Sequence, residues 1–358
     1  MLNDPNKPYN QLPLLPPSSE IESKKILKKT ISAGRALASL ASGRALPNRT
    51  VLLSAVFLME AKESSEIENI VTTEDDLYQA LADTEKKLDP STKEVLRYVD
   101  ALWVGMRWIQ EKKPLTTNIF IQIVQTIRQT NSGIRNNPGT KIANKSTGEI
   151  IYTPPEGESL IREKLKNLEE FINLDNDIDP LVKMAISHYQ FEAIHPFSDG
   201  NGRTGRIINI LYLVASGLLE SPILYLSKHI IRNKADYYRK LKNVTEKGEW
   251  EEWILYMLEG VEETAIFTKN KIDKIFELMK VTGERMEQEL NFYSKDLLSI
   301  LFQQPYCKRQ FLIDAKIAKK QTAGRYLIEL EKKGFLKSMK IGREKLYINL
   351  DFYNLLKE

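Results

Sequence analysis

Along most of the chain apolar residues return every three or four positions, the period of a helix with one buried face, and strict alternation is confined to short stretches. The helical period predicts elements over Glu20–Ser42, Val51–Ile70 and Thr72–Ile109. Another spans Thr116–Gln129, where Thr116 or Thr117 caps a face of Ile119, Ile123 and Ile127. Leu181–Phe191 also reads as a helix, and Ile207, Ile208, Leu211, Val214 and Leu218 mark one directly after a glycine-rich segment. Ser221-Pro222-Ile223-Leu224 interrupts the pattern; a helix carrying Arg232, Asn233, Tyr237 and Tyr238 follows, then a long one over Glu251–Glu289. Gly133–Ile142 and Gly148–Glu156 have glycine at their ends and alternating β-branched residues, the signature of a short hairpin. Ser294–Phe302, Lys308–Ala315 and Lys319–Lys333 read as three short helices, followed by a second hairpin, Phe335–Lys340 and Lys345–Asn349 around Gly342-Arg343. Only Pro8–Pro17 is proline-rich and barred from helix; it is expected to lie extended over the first helices. The fold class is mostly α.

Composition sharpens this picture in three respects. At 358 residues and 42% hydrophobic content the chain has core enough for two or three domains, and the pattern divides it at 1–110, 111–290 and 291–358. It has no apolar run of membrane-spanning length, and Met1–Lys7 lacks the basic-then-apolar order of a secretory signal, so a cytoplasmic location is expected. A single cysteine, Cys307, excludes an internal disulfide and reads as a packed side chain rather than a nucleophile. The net charge of +4 conceals an asymmetry: residues 291–358 carry fourteen Lys/Arg against seven Asp/Glu, so the basic character is local to the last segment.

The chemistry concentrates in His195-Pro196-Phe197-Ser198-Asp199-Gly200-Asn201-Gly202-Arg203-Thr204-Gly205-Arg206. Gly200-Asn201-Gly202 can adopt backbone conformations barred to residues with a Cβ, so successive N–H groups can converge on an anion, and the following helix adds its positive N-terminal end. Arg203 and Arg206, three apart, project on one side and can clamp phosphate oxygens. Asp199 is an oxygen ligand suited to Mg²⁺, and His195 titrates near neutrality and can accept a proton from a hydroxyl. Gly200, Gly202, Gly205 and the later Glu220 also satisfy a dinucleotide-binding pattern, but the preceding segment reads as a helix rather than a strand, and that reading leaves His195, Asp199 and both arginines without a role. A Walker A sequence is absent. His188 and His229 read as structural, since neither has a carboxylate or cysteine at metal-ligand spacing.

The twelve-residue stretch resembles the signature of the Fic family, usually written H-P-F-x-[DE]-G-N-G-R-x-x-R, and matches it at every specified position. The proline-rich opening is similar to the region that precedes the Fic core in bacterial members. The resemblance implies a helical core that transfers AMP from ATP to a target-protein hydroxyl, releasing pyrophosphate. In that implied scheme His195 is the general base and Asp199 holds the Mg²⁺ bridging the α- and β-phosphates. Gly200, Asn201 and Gly202 form the anion hole, Arg203 and Arg206 hold the β- and γ-phosphates, and Phe197 anchors the loop. Thr204 and Gly205, between the arginines, belong to the ATP-binding set, as do Arg232 and Tyr237, the latter through a Tyr-Tyr pair lining the adenine pocket.

Upstream, Ser64, Glu68 and Asn69 fit the family's inhibitory pattern [ST]-x-x-x-E-[GN]. By resemblance, Glu68 pairs with Arg206 and denies it to the γ-phosphate, so the enzyme rests switched off. The first hairpin resembles the Fic flap, whose edge takes up the target backbone as an added strand; Ile150, Ile151 and Tyr152 are the docking residues. The last segment resembles a winged helix-turn-helix domain with Lys319, Lys320, Gln321, Thr322 and Arg325 at the recognition helix, a basic face suited to DNA or to protein docking. Further readings of the same residues are transfer of another group such as UMP or phosphocholine, removal of AMP with Glu68 as base, and a DNA-binding regulator that senses nucleotide. The expected partners are a hydroxyl-bearing target protein, the chain itself as a modification target, DNA through the last segment, and a second copy in a homodimer, with no membrane.

Overall fold

The computed structural model describes residues 4–42, 49–82, 88–143, 147–341 and 344–358. These form two compact units. One comprises Met1–Ser42, Glu60–Ile70 and Glu94–Ile266; the other comprises Gly43–Met59, Val71–Lys93 and Phe267–Glu358.

In the first unit, Ser23 opens α1 (Lys24–Ala41) by accepting the Ile26 N–H, and α1 buries Ile26, Ala33, Leu37 and Leu40. The next helix, α2 (Arg49–Ile67), closes at Asn69, whose φ of 66° ends the helix. The single helix expected over Thr72–Ile109 is two, α3 (Glu74–Ala82), which belongs to the second unit, and α4 (Pro90–Gln110), which belongs to the first from Glu94 onward. Pro90 cannot donate to a preceding turn, and Asp89 restarts the helix by accepting the Thr92 N–H at 3.0 Å. Thr116 precedes α5 (Thr117–Arg128) as expected, yet its side chain makes no cap bond; Glu169 accepts the Thr117 N–H instead, at 2.6 Å.

The first hairpin is short, β1 (Ile142–Ala143) antiparallel to β2 (Ile150–Tyr152). A helix absent from the sequence expectation, α6 (Glu158–Asn173), then packs Ile161, Leu165, Leu168, Phe171 and Ile172 inward. The centre of the unit is α7 (Pro180–Ile194), buried on every side, with Asp179 as its N-cap and Pro180 at its first position. Beside it runs α8 (Asn201–Ala215), as the apolar spacing after the glycine-rich segment predicts. Asn233 divides the next expected helix into α9 (Ser227–Arg232) and α10 (Lys234–Lys247), and α11 (Trp250–Glu289) begins the long element. Trp253 of α11 is fully buried and donates to the Ala185 carbonyl of α7 at 2.8 Å.

The proline-rich opening is not helical, as expected, but it turns at Asn10–Gln11 instead of lying extended throughout, and its bonds go to α6, α7 and the hairpin rather than the first helices. Its backbone polar groups find partners there: Lys164 donates to the Leu12 carbonyl at 2.7 Å, Gln190 to that of Pro13 at 2.8 Å, and the Tyr9 N–H to Thr153 at 3.0 Å.

The second unit contains α12 (Lys295–Gln303), β3 (Tyr306–Cys307), α13 (Arg309–Asp314), α14 (Lys320–Lys332), β4 (Lys337–Ile341), β5 (Glu344–Ile348) and α15 (Leu350–Lys357). The expected helices and hairpin are present. The sequence pattern omits β3, which is two residues long, and α15; the residues at the turn, Gly342-Arg343, lie outside the described residues. The sheet order is β3-β5-β4, all antiparallel. Asp75 of α3 accepts hydroxyls from Tyr306, at 3.1 Å, and Tyr353, fastening α3 to this sheet and to α15. Cys307 is buried, and burial pushes its thiol up to about 12, which suits a packing role.

Candidate active site

Local backbone rules bring the candidate residues together. Pro196 cannot extend α7, and His195 ends it in the left-handed region, φ 48° and ψ 59°, with its N–H still bonded to Phe191 at 3.0 Å. The loop is then pinned from inside. Phe197 is 2% exposed, and Asn201 bonds both polar groups of its backbone, accepting the N–H at 2.9 Å and donating to the carbonyl at 2.7 Å. Gly200 caps α8 at φ 82°, a conformation that favours glycine. The first helical bond of α8 runs from the Thr204 N–H to Gly200 at 3.0 Å, so the N–H groups of Asn201, Gly202 and Arg203 are left for other acceptors.

These elements wall a cavity of about 790 Å³. His195, Asp199, Gly200, Asn201, Gly202, Arg203 and Arg206 line it, with Glu68 and Asn69 from α2, Ile151 and Tyr152 from β2, and Tyr237 and Tyr238 from α10. The site predicted from the sequence is therefore gathered in one place, with five exceptions, one of them Ser64, which is fully buried behind the lining and bonded to Arg206. Thr204 is fully buried and does not line it, and Gly205 turns toward α7, where a Cβ would stand 2.6 Å from Glu192 Oε1 and 3.1 Å from the Phe191 ring. Ile150 of the hairpin is also outside the lining. Arg232 ends α9 exposed to solvent and away from the cavity; Lys234 and Lys242 of α10 line it instead. Tyr237 presents only part of itself to the cavity, being 2% exposed, bonded to His188 at 2.9 Å and packed against Trp253, whereas Tyr238 is 41% exposed.

Glu68 dominates the electrostatics. Its Oε1 accepts from Arg206 at 2.9 Å and its Oε2 lies 3.4 Å from Arg203 Nε. Arg206 is further held by Ser64, donating to its hydroxyl and its carbonyl at 2.7 Å each. Burial alone would raise the Glu68 carboxyl, but Arg206 and then Arg203 outweigh it and hold it below the usual carboxylate range. The carboxylate rests over the start of α8: a Cβ on Gly202 would stand 2.4 Å from Glu68 Oε1. Glu68 thus brings its negative charge to the N-terminal end of α8, where the helix dipole favours an anion.

The imidazole of His195 is pushed down to about 4, first by burial and then by Arg135, so it is neutral at pH 7 and able to accept a proton. Asp199 is half-exposed at the cavity edge; its Oδ1 accepts the Gly200 N–H at 2.6 Å and its Oδ2 pairs with Arg128 at 2.9 Å. Among the described residues no cluster of three or more His, Cys, Asp or Glu could hold a metal ion unaided. One carboxylate beside an anion site fits Mg²⁺, which takes one or two protein carboxylates and completes its shell with water and substrate phosphate.

The sequence reading omits Arg128, Glu94, Arg135 and Glu192. Glu94 accepts from both Arg203, at 2.5 Å, and Arg128, at 3.0 Å, extending the ion network away from the loop. Glu192 lines the cavity three residues before His195, with its carboxyl pushed up to about 7 by burial. The three-residue spacing places Glu192 and His195 on neighbouring sides of the helix end, the one signal that could have found it. Arg128 and Glu94 sit on separate helices and leave no such trace.

Comparison with known proteins agrees with this geometry. Residues 27–107 match the profile described as Fic/DOC family N-terminal, residues 114–213 that of the Fic/DOC family, and residues 278–352 that of the C-terminal domain of SoFic-like protein adenylyltransferases. The chain belongs to the Fic/DOC family. Among relatives, protein adenylyltransferase fic-1 of Caenorhabditis elegans is 33% identical over 108 residues, 30% of this chain and 20% of that protein. Protein adenylyltransferase Fic of Nematostella vectensis is 28% identical over 175 residues, 48% of this chain and 38% of that one. The chain thus spans between a fifth and two fifths of the length of these relatives. A Fic family protein from Desulfovibrio desulfuricans G20 shares the fold at a TM-score of 0.59 and 15% identity, covering 93% of this chain and 98% of that one. Fic-1 residues 134–508 from C. elegans superposes at 0.54 and 19% identity, over 70% and 74% of the two chains. In this Fic protein the glycine-rich loop, the helix behind it and the hairpin beside it all belong to the 114–213 match, while Glu68 lies in the N-terminal one.

Proposed function

We propose that this Fic protein is an adenylyltransferase that moves AMP from ATP to a Ser, Thr or Tyr hydroxyl of a target protein or of itself. The observation that carries this is the meeting, in one cavity, of a neutral His195 and an N-terminal helix anion site flanked by two buried arginines. In the reaction the hydroxyl proton passes to His195, the hydroxyl oxygen forms a bond to the α-phosphorus, and the bond from that phosphorus to the bridging oxygen breaks, releasing pyrophosphate. The N–H groups of Asn201, Gly202 and Arg203 stabilise charge on phosphate oxygens, and Arg203 and Arg206 hold the remaining phosphates. A Mg²⁺ held by Asp199 would supply Lewis-acid neutralisation of phosphate charge.

Glu68 inhibits this activity in our reading. A carboxylate that already fills the approach to α8 and occupies both arginines excludes the productive pose of a triphosphate. The test is transfer of label from α-³²P-ATP with Mg²⁺, comparing wild type, Glu68→Gly and Glu68→Gly/His195→Ala, each with and without a protein extract. Label is expected with Glu68→Gly and lost when His195→Ala is added. Equal labelling with and without His195 would overturn the assigned base, and no label in Glu68→Gly despite ATP binding would overturn AMP transfer.

The hairpin is the docking edge in this scheme, Tyr152 being held by its hydroxyl to the Ala193 carbonyl at 2.9 Å beside His195. We assign the C-terminal segment as a winged helix-turn-helix that binds DNA, α14 being the recognition helix. Lys319, Lys320, Gln321 and Arg325 are exposed at its start, with Thr322 half-buried beside them. We also retain the functional division at 1–110, 111–290 and 291–358, with a cytoplasmic location.

A further inference from the structure

The geometry points to Arg135 as the residue that positions His195 for catalysis. Arg135 is 6% exposed, in the segment leading to β1, and its guanidinium spans two pieces of chain. Nε donates to the His195 carbonyl at 2.7 Å, and one terminal nitrogen donates to the Ile194 carbonyl at 3.3 Å and the Pro155 carbonyl at 2.5 Å. Its backbone N–H adds a bond to Pro196 at 2.9 Å.

Three consecutive carbonyls, those of Ile194, His195 and Pro196, are thereby satisfied by one residue. They lie at the helix end, where backbone acceptors have lost their intrahelical donors. His195 occupies a left-handed conformation that costs a residue with a Cβ about 1–2 kcal/mol, so it persists only where the surroundings fix it. Arg135 is that surrounding, and the planar fork of a guanidinium is what reaches carbonyls on two segments at once.

The arrangement also brings a guanidinium charge to the helix end. Among the described residues no carboxylate forms a close ion pair with Arg135, Glu156 acting on it only at longer range, and its hydrogen-bond partners are carbonyl dipoles. After burial, Arg135 is the strongest influence holding the His195 imidazole down. The Glu192 carbonyl from α7, Glu68 from α2 and Asp199 from the loop pull the other way. The other charged side chains lining the cavity are Glu192 from α7, Glu94 from α4, Arg128 from α5, Arg203 and Arg206 from α8, and Lys234, Lys242 and Glu246 from α10. Arg135 therefore ensures that the base stands ready in its neutral form well below pH 7.

Pro155 extends the consequence. It follows β2 by three residues, so the same fork fastens the foot of the hairpin to the peptide units on either side of the His195 Cα. Granted the proposed transfer reaction, a target strand seated on the hairpin would meet a base already in fixed register with it.

The experiment uses the full chain carrying Glu68→Gly, with Arg135→Met and Arg135→Lys added singly. Methionine removes both fork and charge, whereas lysine keeps the charge and loses the fork. The chain has three histidines, so ¹³C-labelled imidazoles can be titrated by NMR and the His195 signal identified by its loss in His195→Ala. In Arg135→Met the His195 midpoint is expected to rise by about one pH unit or more. Label transfer at pH 7.5 should fall on the order of 100-fold in kcat, as for a displaced catalytic group, and the acidic limb of its pH profile should move up with the midpoint. Arg135→Lys should keep the midpoint near the parent's and lose kcat at least about tenfold, with KM for ATP little changed. A full parental rate in Arg135→Lys, or an unmoved midpoint in a folded Arg135→Met, would overturn the inference. Absence of transfer in the Glu68→Gly parent would count against the proposed function alone, because the titration is read without it.

Discussion

In the proposed scheme Glu68 sets the resting state through one carboxylate shared between two guanidinium groups, the contact being one of charge. Its folded pKa lies below the ordinary value, so its contribution is fully present above the unfolded pKa near 4.5 and is lost only as pH falls through the folded value. The clamp is consequently blind to pH in the physiological range. The ratio of transfer rates between Glu68→Gly and wild type should stay constant from pH 6 to pH 8; a ratio that drifts tenfold over that span would contradict the assignment. Ser64→Ala removes the hydroxyl that receives Arg206 Nε and leaves that buried N–H without its partner, a loss of about 1–3 kcal/mol. It should lower the thermal midpoint and leave transfer between the wild-type and Glu68→Gly levels.

At the level of elements, α2 presents its carboxylate because its middle is anchored elsewhere in the same unit. Glu60, 1% exposed, accepts from Ser227 of α9 through the N–H at 3.0 Å and the hydroxyl at 2.5 Å, and from the Tyr98 hydroxyl of α4 at 3.1 Å. Burial pushes its carboxyl up to about 7. The folded protein therefore keeps a proton that the unfolded chain has released above 4.5, and this group's contribution to stability falls as pH rises from 4.5 to 7. Buried His188 and His195, held down to about 3 and about 4, act in the opposite sense over part of that interval, so the wild-type curve blends the two. A Glu60→Gln substitution separates them. The stability of Glu60→Gln relative to wild type should improve between pH 5 and pH 8 by up to about 3 kcal/mol, measured by chemical denaturation.

Elements whose identity is written in local pattern were legible: α5, α7, α8, the hairpin and the three helices of the C-terminal segment. Legibility failed where a single residue punctuates a long period, as at Asp89-Pro90 and Asn233, or where the element is too short to show one, as at β3. The loop residues of the site were readable because their chemistry is unusual for any other use. Arg135, Arg128 and Glu94 were not, since each becomes functional only through partners distant in sequence, and Arg232 was overcalled because a position along a helix does not say which way a side chain faces.

Across the whole chain, charge is partitioned as the architecture is. The segment 291–358 holds the basic excess, and three of its exposed basic residues, Lys319, Lys320 and Arg325, lie at the start of α14. If this is a nucleic-acid face, duplex binding should weaken steeply with salt, by tenfold or more between 50 and 200 mM for even a few phosphate contacts. The triple variant Lys319→Ala/Lys320→Ala/Arg325→Ala should flatten that dependence, with fluorescence anisotropy as the readout. Binding without salt dependence, or none at 50 mM, would make α14 a protein-docking face instead.

The collision built in at Gly202 has a genetic corollary. Any side chain there would push Glu68 out, and the same atoms would then stand where phosphate must enter. If Glu68 is the brake proposed above, a substitution at Gly202 cannot trade repression for activity. A selection for hyperactive alleles should therefore return substitutions at Ser64 and Glu68 and none at Gly202, so that lineages lose their brake through α2 while the loop sequence stays unaltered.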